Sequence, residues 1–178
     1  MTTGANKSAM TGQILRANDV DMSKFTFCDP TVNKYGGKSA RVKYDGRDFV
    51  IQTPRMRLPY GLGTYEEKDK NGVVVKTKYS LDFSFAGYEQ GDNGTATAPK
   101  VREFYDMLSG MQKLLIKATQ ENSSAWLDMD DVSEGVAKAL TRELLKFSKD
   151  KVTKKVNNKY PPTFKTKVGY WEGKFMLN

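Results

Sequence analysis

Residues 48–63, DFVIQTPRMRLPYGLG, constrain the fold of this chain more than any other stretch. Asp45 and Gly46 just before them form a two-residue turn signal between alternating arms, which predicts a tight β-hairpin. Folding the arms about that turn places Ala40, Val42 and Tyr44 on one face with Phe49 and Ile51, and Arg41 and Lys43 on the other with Val50 and Gln52. Continued unbroken, the same alternation would carry Arg55 and Arg57 into the core, where two unpaired guanidinium groups would lose their hydration uncompensated. The phase must therefore change at Pro54. Proline has no N–H for the ladder and sits at bulges and edges, and a one-residue slip there turns Met56 and Leu58 inward and Arg55 and Arg57 outward. A strand that bends and changes facing midway suits the corner of a small closed barrel.

The flanking segments extend this pattern. Residues 1–21 are small and polar and read as a flexible N-terminal arm, followed by one domain from residue 22 to the end. A first strand is expected over residues 24–28, then a loop carrying Tyr35. Asn71 and Gly72 mark another tight turn, after which Val73, Val75, Thr77, Tyr79, Leu81, Phe83 and Phe85 alternate with polar residues along one long strand. Its first half faces a charged arm that can bury little, so the tip is expected to project as a β-wing. From Pro99, apolar residues at helical spacing (Val101, Phe104, Tyr105, Leu108, Met111, Leu115 and Ala118) predict a helix of about twenty residues. A second helix is expected from a capping box at Asp131 and Glu134, with a stripe of Val136, Leu140 and Leu144 running toward Phe147. Pro161 and Pro162 then set an extended path into two closing strands. Strands, two helices and more strands give an α+β chain, and the expected architecture is a small antiparallel β-barrel of the OB type with two inserted helices before the last strands.

Charge narrows the function. The formal net charge is +8, and from Val136 onward eleven Lys or Arg stand against three acids, so the whole excess lies in the last quarter of the chain. A local basic excess fits a polyanionic partner, with nucleic acid ahead of membrane because no long apolar run is visible. Histidine is absent and Cys28 is the lone cysteine, which removes His-dependent catalysis and Cys/His zinc sites; no enzyme activity, catalytic residue, metal or cofactor is expected. No signal peptide is read, so an intracellular setting is anticipated. The cluster Asp128, Asp130 and Asp131 reads as linker and helix cap, with occlusion of a basic groove by a mobile acidic segment as the competing idea.

Phosphates call for Lys and Arg along a groove, and unpaired bases call for exposed aromatic faces. Arg41, Lys43, Arg55, Arg57, Lys76, Lys78, Lys165 and Lys167 fall on outward faces of expected strands, while Tyr60, Tyr65, Tyr160, Tyr170 and Trp171 fall in or beside loops. Together they form the candidate nucleic-acid site. Tyr79, Phe83, Phe85, Phe104 and Trp126 belong to apolar faces and are assigned to core.

Four strings also carry a likeness: FVIQTPRMRLPYG (residues 49–61), SLDFSF (80–85), LSGMQKLLI (108–116) and KYPPTFKTKV (159–168). With these the chain resembles the single-stranded DNA-binding proteins of large nucleocytoplasmic DNA viruses, a family similar to the OB-fold single-stranded DNA-binding protein of short-tailed coliphages. The resemblance covers about residues 24–175, and its most specific parts are TP-x-M-x-x-P-Y-G and Y-P-P-T. It implies an OB-fold, single-stranded DNA as partner, and a DNA replication or recombination setting in host cytoplasm or nucleus. Replication proteins and further copies of the chain are the remaining candidate partners. The phage-type proteins end in an acidic tail that recruits replication partners, whereas residues 171–178 here read WEGKFMLN. The alternative is a structural virion or nucleoprotein component that binds duplex nucleic acid through the basic C-terminal region.

Overall fold

The computed structural model describes residues 14–92 and 94–176, so residues 1–13 of the anticipated arm lie outside the described residues. In chain order the strands are β1 (Ile14–Leu15), β2 (Phe25–Phe27), β3 (Thr31–Val32), β4 (Lys38–Ser39), β5 (Val42–Tyr44), β6 (Arg47–Asp48), β7 (Val50–Ile51), β8 (Leu62–Lys68) and β9 (Val74–Ser84). Helices α1 (Pro99–Glu121), α2 (Ser123–Leu127) and α3 (Glu134–Leu140) follow, then β10 (Leu145–Lys146), β11 (Thr163–Trp171) and β12 (Lys174–Met176). The fold is α+β. Its strands form separate small sheets and do not close into a barrel. Contacts divide the chain into two compact units, one running to Thr53 and including Gly110–Arg142, the other comprising Pro54–Ser109 and the chain from Glu143 onward.

In the first unit the expected hairpin forms. β5 and β6 pair antiparallel with Tyr44 opposite Arg47, and Asp45 and Gly46 both take positive φ, the conformation a two-residue turn between twisted strands requires. Tyr44 and Phe49 share a face as expected, and with Phe25 they form a ring cluster with centroids 4.9–5.7 Å apart. The Tyr44 hydroxyl accepts from the Asp21 N–H at 3.0 Å. Beyond Phe49 the chain does not return to the hairpin: β7 pairs parallel with β1, so residues 14 and 15 of the anticipated arm are held against Val50 and Ile51. Met111, Leu114 and Leu115 of α1 and the rings of Phe25, Phe27 and Phe49 line a cavity of about 390 Å³. Trp126 lies against Phe27 at 5.5 Å.

The anticipated second helix is corrected. It does not begin with a capping box at Asp131, which has positive φ; Ser133 is the N-cap, its side chain accepting from the Val136 N–H. It stops at Leu140, where extended Thr141 turns its hydroxyl onto the Ala137 carbonyl at 2.8 Å. The stripe of Val136, Leu140 and Leu144 is not the buried one. Val136 and Leu140 are exposed, and Ala137 and Val132 are buried in their place. Leu145 is claimed by β10, opposite Phe164, where its side chain is buried.

In the second unit β8, β9, β11 and β10 form one antiparallel sheet, with β12 pairing the far end of β11. The first part of α1 covers one sheet face. Phe85 and Phe104 are fully buried with rings 5.8 Å apart and nearly parallel, and Phe164 meets Phe104 edge-on at 6.1 Å. Val101, Met107 and Leu108 complete that layer. Toward its Asn71 turn the β8–β9 ribbon loses this cover: Val73, Val74 and Val75 are all exposed, as expected of a wing. Pro54 is where regular pairing lapses. Instead of a bent continuous strand, β7 ends at Ile51 and pairing resumes only at Arg57, whose carbonyl accepts from the Ser84 N–H at 2.9 Å. Arg55 and Arg57 are exposed and Met56 is half-buried, but Leu58 is exposed and not inward, because the chain turns at residues 58–61 before a further strand position is reached.

Candidate nucleic-acid interface

Register decides which side chains share a surface. In β9 the residues Lys76, Lys78, Ser80, Asp82 and Ser84 point away from the α1 layer. Tyr65 is opposite Lys78 and Glu67 opposite Lys76 on β8, while Lys165 is opposite Asp82 and Lys167 opposite Ser80 on β11. Thr163 pairs with both Ser84 and Lys146, which adds Lys146 of β10, and Arg57 joins at the Ser84 bridge. One sheet face thus gathers Arg57, Lys76, Lys78, Lys146, Lys165 and Lys167.

The far end of β11 settles two neighbouring aromatics in opposite ways. Tyr170 packs its ring on Tyr79 and Phe175, with centroids 5.0 Å away in both cases, so it belongs to the apolar face. Trp171 therefore points to the basic face, beside Lys174 in register, and is 70% exposed. Tyr65 on the same face is 65% exposed. Two rings on β8 and β11 are separated by two strand spacings, roughly 10 Å across the sheet. Gly63, Ser80, Ser84 and Thr163 lie between the cations and leave the surface low.

Two acids interrupt the face, and both are engaged. Glu67 bonds Lys78, and that hydrogen bond holds its carboxyl below the ordinary glutamate value. Asp82 faces Lys165 at 3.5 Å. Among the described residues Arg57, Lys146 and Lys167 form no ion pair, so their charges are free for an anionic ligand, and Lys76, opposite Glu67, acts on that carboxylate without a direct ion pair.

The remaining candidates lie elsewhere. Arg41 and Lys43 sit on the hairpin of the first unit, and Lys43 is bound to Asp48 at 2.5 Å, a bond that lowers the Asp48 pKa. Arg55 and Tyr60 belong to the irregular stretch around Arg57; Tyr60, 73% exposed, stands in the turn that leads into β8. Tyr160 is exposed in the connection before β11, with the Lys159 ammonium 5.5 Å from its ring. Lys146 and Lys174 escaped the sequence reading. The helical stripe drawn toward Phe147 hid Lys146; its only signal is that Leu145, Lys146 and Phe147 alternate as a strand would.

One acid of the 128–131 cluster, Asp128, is held by a basic side chain. Asp128 caps α2 in the left-handed conformation and its carboxylate binds Lys38 at 2.6 Å, while Lys38 also donates to the Ala125 carbonyl. That anchoring favours the linker-and-cap reading over occlusion. No described helix is long and apolar enough to cross a membrane. Compared with known proteins, the chain matches no family model, no curated sequence and no solved structure.

Proposed function

We propose that this is a non-enzymatic protein that coats single-stranded DNA, its sheet lysines and Arg57 neutralising phosphates while Tyr65 and Trp171 stack on bases. The observation that carries the reading is the combination, on one sheet face, of unpaired cations with two exposed rings. Charge alone would favour duplex DNA, whose phosphates are denser; exposed rings reward only bases that are free to stack. The sequence resemblance supports a setting in viral DNA replication or recombination, inside the host cell. A relationship to OB-folds belongs to the same proposal, supported by antiparallel strands that precede and follow the helices, with the open sheets as a departure from the usual closed form.

The deciding experiment is competition among oligo-dT, duplex DNA and RNA of equal length at two salt concentrations. At about 0.15 M salt, oligo-dT should displace the others from the protein more effectively than duplex does. Equal or tighter duplex binding would favour the nucleoprotein alternative.

A further inference from the structure

The connection between β10 and β11 is built differently from the sheet face it adjoins. Residues 148–159, SKDKVTKKVNNK, hold five lysines and one acid, and the exposed ring of Tyr160 follows at their end against Lys159. That acid organises the segment. Asp150 Oδ1 accepts from the N–H groups of Val152 and Thr153, at 2.9 and 2.7 Å, and from the Thr153 hydroxyl at 3.1 Å. These bonds lower its pKa, the one to the Thr153 N–H foremost. The backbone closes around it, Asp150 N–H donating to the Lys155 carbonyl at 2.8 Å and Lys154 N–H to the Asp150 carbonyl at 3.0 Å. Below this turn, Lys149 bridges Val156 and Ser148 Oγ bonds Asn157 at 2.7 Å.

Two consequences follow for charge. The only carboxylate in the loop is used internally, so Lys149, Lys151, Lys154, Lys155 and Lys159 have no ion pair among the described residues. The turn also holds Lys154 at φ 58°, a conformation that favours glycine, and leaves its side chain exposed. Beside it Val152 is 87% exposed. The loop leaves β10 at Lys146 and enters β11 at Thr163, which are register partners on the basic face. It therefore stands at one end of that face, with Trp171 at the other end of the same nine-residue strand, roughly 27 Å away.

We infer that this loop is a duplex-binding element, and that the protein engages the junction between single- and double-stranded DNA with the loop on duplex phosphates. The single-strand half of that assignment rests on the function proposed above. Lys149, Lys151, Lys154 and Lys155 are concentrated on a turn held by Asp150, and among the described residues none lies against a ring, Tyr160 meeting only Lys159 at the loop's end. Such cations match a backbone whose bases are already stacked and unavailable, whereas the sheet face sets two exposed rings among its cations.

The test uses the full chain and three DNAs: an oligo-dT strand, a blunt duplex, and that duplex carrying the oligo-dT as a tail. Wild-type protein should bind the tailed duplex more tightly than the tail alone. The variant Lys151→Ala, Lys154→Gly, Lys155→Ala should lose roughly tenfold on the tailed duplex, with its salt slope reduced by about 3, and should bind oligo-dT as wild type does. These side chains are exposed and glycine suits the Lys154 backbone, so the melting temperature should hold. An unchanged ratio of tailed duplex to tail in the variant would overturn the inference, as would a loss confined to oligo-dT, which would place the loop on the single-strand path. If wild type fails to bind oligo-dT, the sheet-face reading falls, and the blunt-duplex comparison still reports on the loop.

Discussion

Tyr170 and Trp171 are adjacent in sequence and opposite in role, which makes their alanine variants a sharp test. Trp171 is 70% exposed on the basic face, so Trp171→Ala removes a stacking platform and little packing. A base stacked on an aromatic side chain contributes about 1–3 kcal/mol, which corresponds to a loss of roughly 5- to 150-fold in affinity for oligo-dT. No charge is removed, so the slope of affinity against salt should not change, and stability should stay within about 0.5 kcal/mol of wild type. Tyr170→Ala instead breaks ring contacts to Tyr79 and Phe175 at 5.0 Å. At about 0.5–1.5 kcal/mol for each aromatic pair, stability should fall by about 1–3 kcal/mol. For a chain of this size each kcal/mol lowers the melting temperature by about 2–4 °C, while affinity measured well below the transition should be nearly unaffected. Fluorescence anisotropy with labelled oligo-dT and thermal melts on the same samples read both quantities. Wild-type affinity in Trp171→Ala, or equal affinity losses in the two variants, would refute the placement of bases on this face.

Changing Arg55 and Arg57 together to Ala should weaken single-strand binding and flatten its salt dependence with the melting temperature nearly unchanged, because both side chains are exposed; a large stability loss would mean they are structurally engaged. Phe104→Ala should cost about 3–5 kcal/mol in a denaturant titration, since the ring is 1% exposed between Phe85 and Phe164, and a cost below about 1 kcal/mol would contradict the packing described. Asp48 is held below its ordinary pKa by its bond to Lys43, so the stabilisation it provides is complete above the usual aspartate range and is lost as pH falls through that range to the lowered value. Melting temperatures followed into acid should therefore fall less steeply in Lys43→Ala than in wild type, and identical acid limbs would count against the pair. Neutralising Asp128, Asp130 and Asp131 to Asn should change low-salt affinity for oligo-dT by less than about twofold, given the anchoring of Asp128 to Lys38; clear tightening would revive occlusion.

Elements whose signal is local were legible in the sequence. The Asp45–Gly46 turn, the long alternation that becomes β9 and the apolar stripe of α1 each follow from a short-range period or from a backbone conformation few residues adopt. Outward Arg55 and Arg57 followed from the cost of burying charge. The outward facing of Lys76, Lys78, Lys165 and Lys167 followed from alternation within single strands.

Assembly of those side chains into one surface depended on register between strands far apart in the chain, which no local period encodes. Lys167 meets Ser80 and Lys146 meets Thr163 only because β9, β10 and β11 pair as they do. The same pairing ended α3 early, since Leu145 fits a helical stripe and a strand equally well until Phe164 is placed opposite it. Trp171 and Tyr170 were equivalent as sequence, two rings near a glycine; both reach solvent, Tyr170 at 48% exposure, and only the packing of Tyr170 on Tyr79 and Phe175 decided which ring stands on the basic face. Closure into a barrel likewise could not be read from the bend at Pro54. A proline dictates where a ladder loses an N–H, but which strand takes up the pairing afterwards depends on long-range partners, and here that partner is β1 before the lapse and Ser84 after it.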